Sequence, residues 1–144
     1  MTGDLYQKEL LRFAACARGH GRLDAPDARV TLDNPLCGDR VTLEVMLKDG
    51  HVADVAHDLR ACVLCQASAS IIGEQAVGAD AAEIEGVLET IEAMLAQKGP
   101  PPGGRWRQLD VFEAVAGHKN RYTCVTLPFR ALGDAIKTAL REKT

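Results

Sequence analysis

RVTLEVMLKDGHVADVAHDL, residues 40–59, has the pattern of two strands joined by a tight turn. Val41, Leu43, Val45 and Leu47 alternate with polar neighbours, the period of a strand with one face buried. Asp49-Gly50 is a strong two-residue hairpin signal, and a return strand follows through Val52 and Val55 to Leu59. An antiparallel hairpin therefore stands near the middle of the chain, and the rest of the sequence must supply what covers its apolar face.

On the N-terminal side, an amphipathic helix around Leu5–Ala15 leads into a Gly- and Pro-punctuated stretch that runs to about Asn34. On the C-terminal side, QASASIIGEQAV (66–77) is rich in small residues, as a tightly packed helix would be. Asp80 with Glu83 three residues on has the form of a capping box, opening a helix on Ile84, Val87, Leu88, Ile91 and Leu95. KGPPPGG (98–104) stops that helix and begins a loop. A short helical segment is expected around Val111–Val115, and a last helix from Phe129 through Leu132, Ile136 and Leu140. The expected class is α+β: a small antiparallel β-sheet with helices packed on it, in one domain spanning residues 1–144.

Composition narrows the function. The chain of 144 residues has 47% hydrophobic and 26% charged residues, the balance of a soluble globular protein. A net charge of −3 and 4% aromatic residues argue against a nucleic-acid surface, since Arg105 with Arg107 is too short a basic run. No run approaches the roughly 18 apolar residues of a spanning helix, and the N-terminal stretch carries charges throughout, so no membrane partner and a cytoplasmic location are expected.

Cys16, Cys37, Cys62, Cys65 and Cys124 make an odd set on a chain without an export signal, which points to reduced thiols rather than a disulfide framework. Cys37 precedes the first strand of the hairpin, and Cys62 follows the return strand at the start of the small-residue helix. Cys124 lies shortly before the last helix, and Asp39 stands two residues after Cys37. Because a hairpin brings its outer ends together, Cys37 and Cys62 should be neighbours. Three thiols and a carboxylate at element ends have the donor types of a tetrahedral zinc site. The only C-x-x-C pair is Cys62–Cys65, so spacing by itself is a weak zinc-ribbon signal. A thioredoxin-like reading of that pair lacks its βαβ context. Cys65 reads as a packed helix residue, with a fifth ligand or a resolving thiol as the other readings, and Cys16 as structural. His20, His51, His57 and His118 fall in loops or at strand edges, read as solvated, and stay outside the metal set.

NPLCGD (34–39), ACVLCQASAS (61–70) and NRYTCVTLPFRALGDAI (120–136) resemble, in order and separation, the three cysteine motifs of the IscU/SufU (NifU N-terminal-like) family of iron–sulfur cluster assembly proteins. Within that family the chain is similar to the SufU branch. Thr123 replaces the histidine that precedes the last cysteine in IscU, and the LPPVK motif is missing. PPPGGRWRQLDVFEAVAGHKN (100–120) resembles the SufU insertion, and Arg121 stands three residues before Cys124. Cys65 occupies a position usually held by serine.

The resemblance implies a zinc ion held by Cys37, Asp39, Cys62 and Cys124, with Arg121 beside the site. It implies a role as sulfur acceptor for a SufS-type cysteine desulfurase, feeding downstream iron–sulfur assembly proteins. Cys37 would be the reacting thiolate, making the chain a sulfur-transfer partner rather than an independent enzyme. A scaffold holding a nascent [2Fe–2S] cluster on the same cysteines is the alternative, and a purely structural zinc module is the alternative from another class.

Overall fold

The computed structural model describes residues 2–35 and 38–142. The chain runs α1 (Thr2–Cys16), β1 (Ala28–Asn34), β2 (Asp39–Lys48), β3 (His51–Arg60), α2 (Val63–Gln75), α3 (Ala81–Gln97), a 3₁₀ segment (Gly104–Val115), a 3₁₀ turn (Lys119–Arg121) and α4 (Tyr122–Glu142). The class is α+β as the sequence implies, a three-stranded antiparallel sheet in the order β1-β2-β3 with helices packed on one face. No helix among the described residues is long and apolar enough to cross a membrane.

The hairpin forms where its turn signal stands. Asp49 and Gly50 both take positive φ, 55° and 79°, as a turn matched to the strand twist requires. Lys48 pairs with His51 across it. Val41, Leu43 and Val45 are fully buried on the inner face, and α4 lies across β2 and β1 to cover them. The stretch before Asn34, expected as turns and loop, contains β1. Val30 and Leu32 give it a weak alternation, and it pairs with β2 from Ala28↔Val45 to Asn34↔Asp39.

The small-residue character of α2 has a packing reason. Cys65, Ala67, Ser68, Ala69, Ser70, Ile71 and Ile72 are all fully buried, with α1 against one side of the helix and α4 against another. Its two buried serines are bonded: the Ser68 hydroxyl donates to the Val125 carbonyl at 2.7 Å, and Ser70 Oγ accepts from the Arg18 amide at 3.1 Å. Gly73 is required where the chain after α1 crosses α2, since a β-carbon there would stand 1.9 Å from the Arg18 carbonyl oxygen.

Two further expectations are corrected. The segment after KGPPPGG is not a bare loop with one short helical piece at Val111–Val115. Gly104–Val115 is continuous 3₁₀ structure that buries Trp106, Leu109, Val111, Phe112 and Val115. It is latched to α3 through Glu83, which accepts two bonds from Arg105 at 2.8 Å and one from the Trp106 indole at 2.7 Å. Burial works against the Glu83 charge, but those donors outweigh it and hold the carboxyl below its ordinary range. The last helix starts at Tyr122, not near Phe129, so it runs through Pro128. A proline brings no amide hydrogen to the ladder, which is why the sequence suggests a later start.

Candidate metal centre

Three elements deliver the candidate donors to one place. Asp39 opens β2, one residue beyond the Arg40↔Arg60 pair that closes the β2–β3 ladder, so it meets the chain as β3 hands over to α2. Cys62 is the residue at that handover. It is the N-cap of α2, with extended backbone (φ −69°, ψ 170°), and its carbonyl accepts the first helical bond from Gln66. Cys124 sits in the first turn of α4 rather than ahead of the helix, because that helix begins at Tyr122. The Ser68–Val125 bond ties this turn directly to α2.

The carboxylate of Asp39, buried to 3% exposure, accepts from the Cys62 amide at 3.1 Å, and its other oxygen lies 3.9 Å from Cys62 Sγ. One carboxylate oxygen and the sulfurs of Cys62 and Cys124 all lie within 4.8 Å of one another. Ligands bonded to zinc at about 2.0–2.3 Å in a tetrahedron stand roughly 3.3–3.8 Å apart. The three donors therefore need only a small contraction to share an ion, and two thiols with one carboxylate are the donor types zinc takes. Cys37 lies outside the described residues. Among the described residues that flank it, the Gly38 amide donates to the Asn34 carbonyl at 2.8 Å, with Gly38 at φ 74°.

Access is one-sided. Cys124 is 4% exposed whereas Cys62 faces solvent. A cleft of about 370 Å³ lined by Asp33, Asn34, Gly38, Asp39, Arg40 and Arg60 opens beside Asp39. The cleft thus carries two carboxylates and two guanidinium groups. Arg40 is itself bonded to Asp33 at 2.8 Å, and that bond raises its pKa. Arg121 ends the 3₁₀ turn three residues before Cys124 with its side chain exposed. Among the described residues no hydrogen bond or ion pair links its guanidinium to the three donors.

Cys65 is fully buried one turn into α2 and is not among the three gathered donors. His57 corrects the expectation that every histidine is solvated. It shares the inner face of β3 with Val55, is 2% exposed, and its Nε2 meets the Arg18 carbonyl at 2.6 Å. Its Nδ1 is buried without a hydrogen-bond partner, and burial lowers its pKa. The signal was present in the sequence, since Val55, His57 and Leu59 keep the alternation of one strand face.

Comparison with known proteins adds to this geometry. Residues 5–125 match the family described as NifU-like N terminal domain. The chain is 30% identical over 139 residues to an iron–sulfur cluster assembly scaffold protein IscU of Thermotoga maritima, covering 95% of this chain and 96% of that one. It is 26% identical to the zinc-dependent sulfurtransferase SufU of Bacillus subtilis, over 92% of this chain and 89% of the relative. The crystal structure of a nitrogen-fixing NifU-like protein (N-terminal) from Brucella abortus superposes with a TM-score of 0.90 at 37% identity, covering 96% of both chains.

Proposed function

The chain belongs to the NifU-like N-terminal family that includes IscU and SufU, and on that footing we propose that it is a zinc-dependent sulfur acceptor for a SufS-type cysteine desulfurase, acting as one cytoplasmic domain in iron–sulfur cluster assembly. The carrying observation is the convergence of Asp39, Cys62 and Cys124 within 4.8 Å, drawn from three separate elements. Beside it stands the likeness to a relative named as a zinc-dependent sulfurtransferase.

In this reading Cys37 completes the ligand set with Asp39, Cys62 and Cys124. Zinc, when bound, keeps the thiols deprotonated at neutral pH. The Cys37 thiolate attacks the outer sulfur of the desulfurase persulfide. The new Cys37–sulfur bond forms as the persulfide S–S bond breaks, and the desulfurase thiolate leaves, as in thiol–disulfide exchange. Asp39 keeps its second duty at the start of α2, where its oxygen accepts from the Cys62 amide and holds the two motifs together. Arg60, which lines the cleft beside Asp39, offers a cation to the incoming anionic persulfide, and Arg121 joins the site in this reading as a nearby cation three residues before Cys124.

A second reading, a scaffold holding a [2Fe–2S] cluster on the same residues, is favoured by the relatives named as IscU scaffolds. Metal analysis with a visible absorption spectrum separates the two. Colourless protein with about one zinc per chain, together with faster desulfurase turnover on its addition, supports the acceptor. Iron with visible absorption bands and no stimulation of turnover supports the scaffold.

A further inference from the structure

Cys62 and Cys65, three residues apart at the start of α2, are thiols of unequal accessibility. Cys62 is the N-cap of the 13-residue helix α2, faces solvent, and makes no side-chain capping bond. Cys65 is the third residue of the helix and is 0% exposed. Side chains at the N-cap and third helical positions face one another across the first turn, the relation that lets a capping box close. Three residues along a helix rise about 4.5 Å, which on a cylinder of radius about 2.3 Å sets their α-carbons roughly 5 Å apart, inside the roughly 4.4–6.8 Å window that a disulfide spans. The first turn is well fixed, with the Gln66 amide donating to the Cys62 carbonyl at 3.0 Å and the Gln66 side chain to the Ala61 carbonyl at 2.8 Å.

We propose that Cys62 and Cys65 form a thiol–disulfide exchange site whose substrate is a low-molecular-weight disulfide of the glutathione class. The burial contrast sets the order of events. The exposed Cys62 thiolate attacks the small disulfide, forming a mixed disulfide and expelling one thiolate. The buried Cys65, beyond the reach of the small molecule, attacks the Cys62 sulfur; the Cys62–Cys65 bond forms and the second thiolate leaves. The protein gives up two electrons and two protons, and the small disulfide is reduced to two thiols. Because Cys62 also belongs to the gathered donors, the protein disulfide and metal binding exclude one another. That consequence, unlike the exchange itself, rests on the metal-site reading above. Exchange at this pair thus empties the centre under oxidising conditions and spares Cys62 from higher oxidation.

The test uses the full chain as purified, reduced and desalted, then treated with oxidised glutathione. Intact mass, peptide mapping and released metal, read with a chromogenic chelator, are followed together. Wild type is expected to end two hydrogens lighter with a mapped Cys62–Cys65 bond, losing metal in step with that bond. Cys65→Ser and Cys65→Ala should stop at a glutathione adduct on Cys62. A wild-type protein that keeps the adduct, or whose disulfide joins Cys62 to Cys37 or Cys124, overturns the proposal. If the reduced protein carries no metal, the metal-site reading fails while the mapped bond still decides this one.

Discussion

Replacing Glu83 with alanine tests why the 3₁₀ segment is packed rather than loose. Three donor atoms converge on its carboxylate, two from Arg105 at 2.8 Å and the Trp106 indole nitrogen at 2.7 Å. Trp106 is 3% exposed, so the variant leaves a buried indole N–H without an acceptor, a cost of about 1–3 kcal/mol. The paired Arg105 and Glu83 side chains retain 36% and 31% exposure, so their ion pair adds only about 0.5–1 kcal/mol. Arg105 keeps its 2.7 Å bond to the Val77 carbonyl, which limits the loss. The expected total is about 2–3 kcal/mol, or roughly 8–12 °C in Tm at about 4 °C per kcal/mol for a chain of this size. Urea and thermal melts read it directly. In a Trp106→Phe background the same substitution should cost about 1 kcal/mol less, because the orphaned donor is gone. A loss under about 0.5 kcal/mol, or the same loss in both backgrounds, would refute the latch as described.

His57 is held neutral by burial, its folded pKa below the ordinary 6.5. Its stabilising contribution is therefore complete above about pH 6.5. It falls as the unfolded chain takes up the proton below that pH, and levels off once pH passes the folded pKa, with a slope no steeper than about 1.4 kcal/mol per pH unit. Urea midpoints measured against pH should show this decline for wild type and a flatter profile for His57→Gln, which keeps a donor for the Arg18 carbonyl; equal slopes would exclude His57 as the cause. Gly73→Ala puts a methyl group against the Arg18 carbonyl oxygen and should cost about 3 kcal/mol by denaturant titration, and a cost below about 1 kcal/mol would show that the crossing is loose. Ser68→Ala removes the bond to the Val125 carbonyl and should cost about 1 kcal/mol, with weaker metal retention because α4 carries Cys124; unchanged stability and retention would separate the two helices.

The parts of the fold legible in sequence are those whose signals are local. Asp49-Gly50 dictates its turn whatever surrounds it, and the Asp80 side chain caps the Glu83 amide as the capping-box arrangement implies. Strand β1 is harder to read because its alternation rests on two apolar residues after a Gly- and Pro-rich stretch, and its pairing with β2 supplies what local preference does not. The start of α4 is hidden by Pro128, whose cost is met by packing of Cys124, Val125, Leu127 and Phe129 that no local rule anticipates. At the centre, cysteine order and the Asn-Pro-x-Cys-Gly-Asp motif single out Asp39, Cys62 and Cys124, which the fold brings together. The burial contrast between Cys62 and Cys65 follows from how α2 packs and becomes visible only in three dimensions.

The most direct test of the account is where sulfur goes when the full chain turns over with a cysteine desulfurase and cysteine. Peptide mass mapping after the reaction should find the added sulfur on Cys37, while folded, zinc-loaded Cys37→Ala carries none and fails to raise turnover. Added sulfur on another cysteine, or stimulation by that variant equal to wild type, would contradict the assignment of Cys37 as the acceptor.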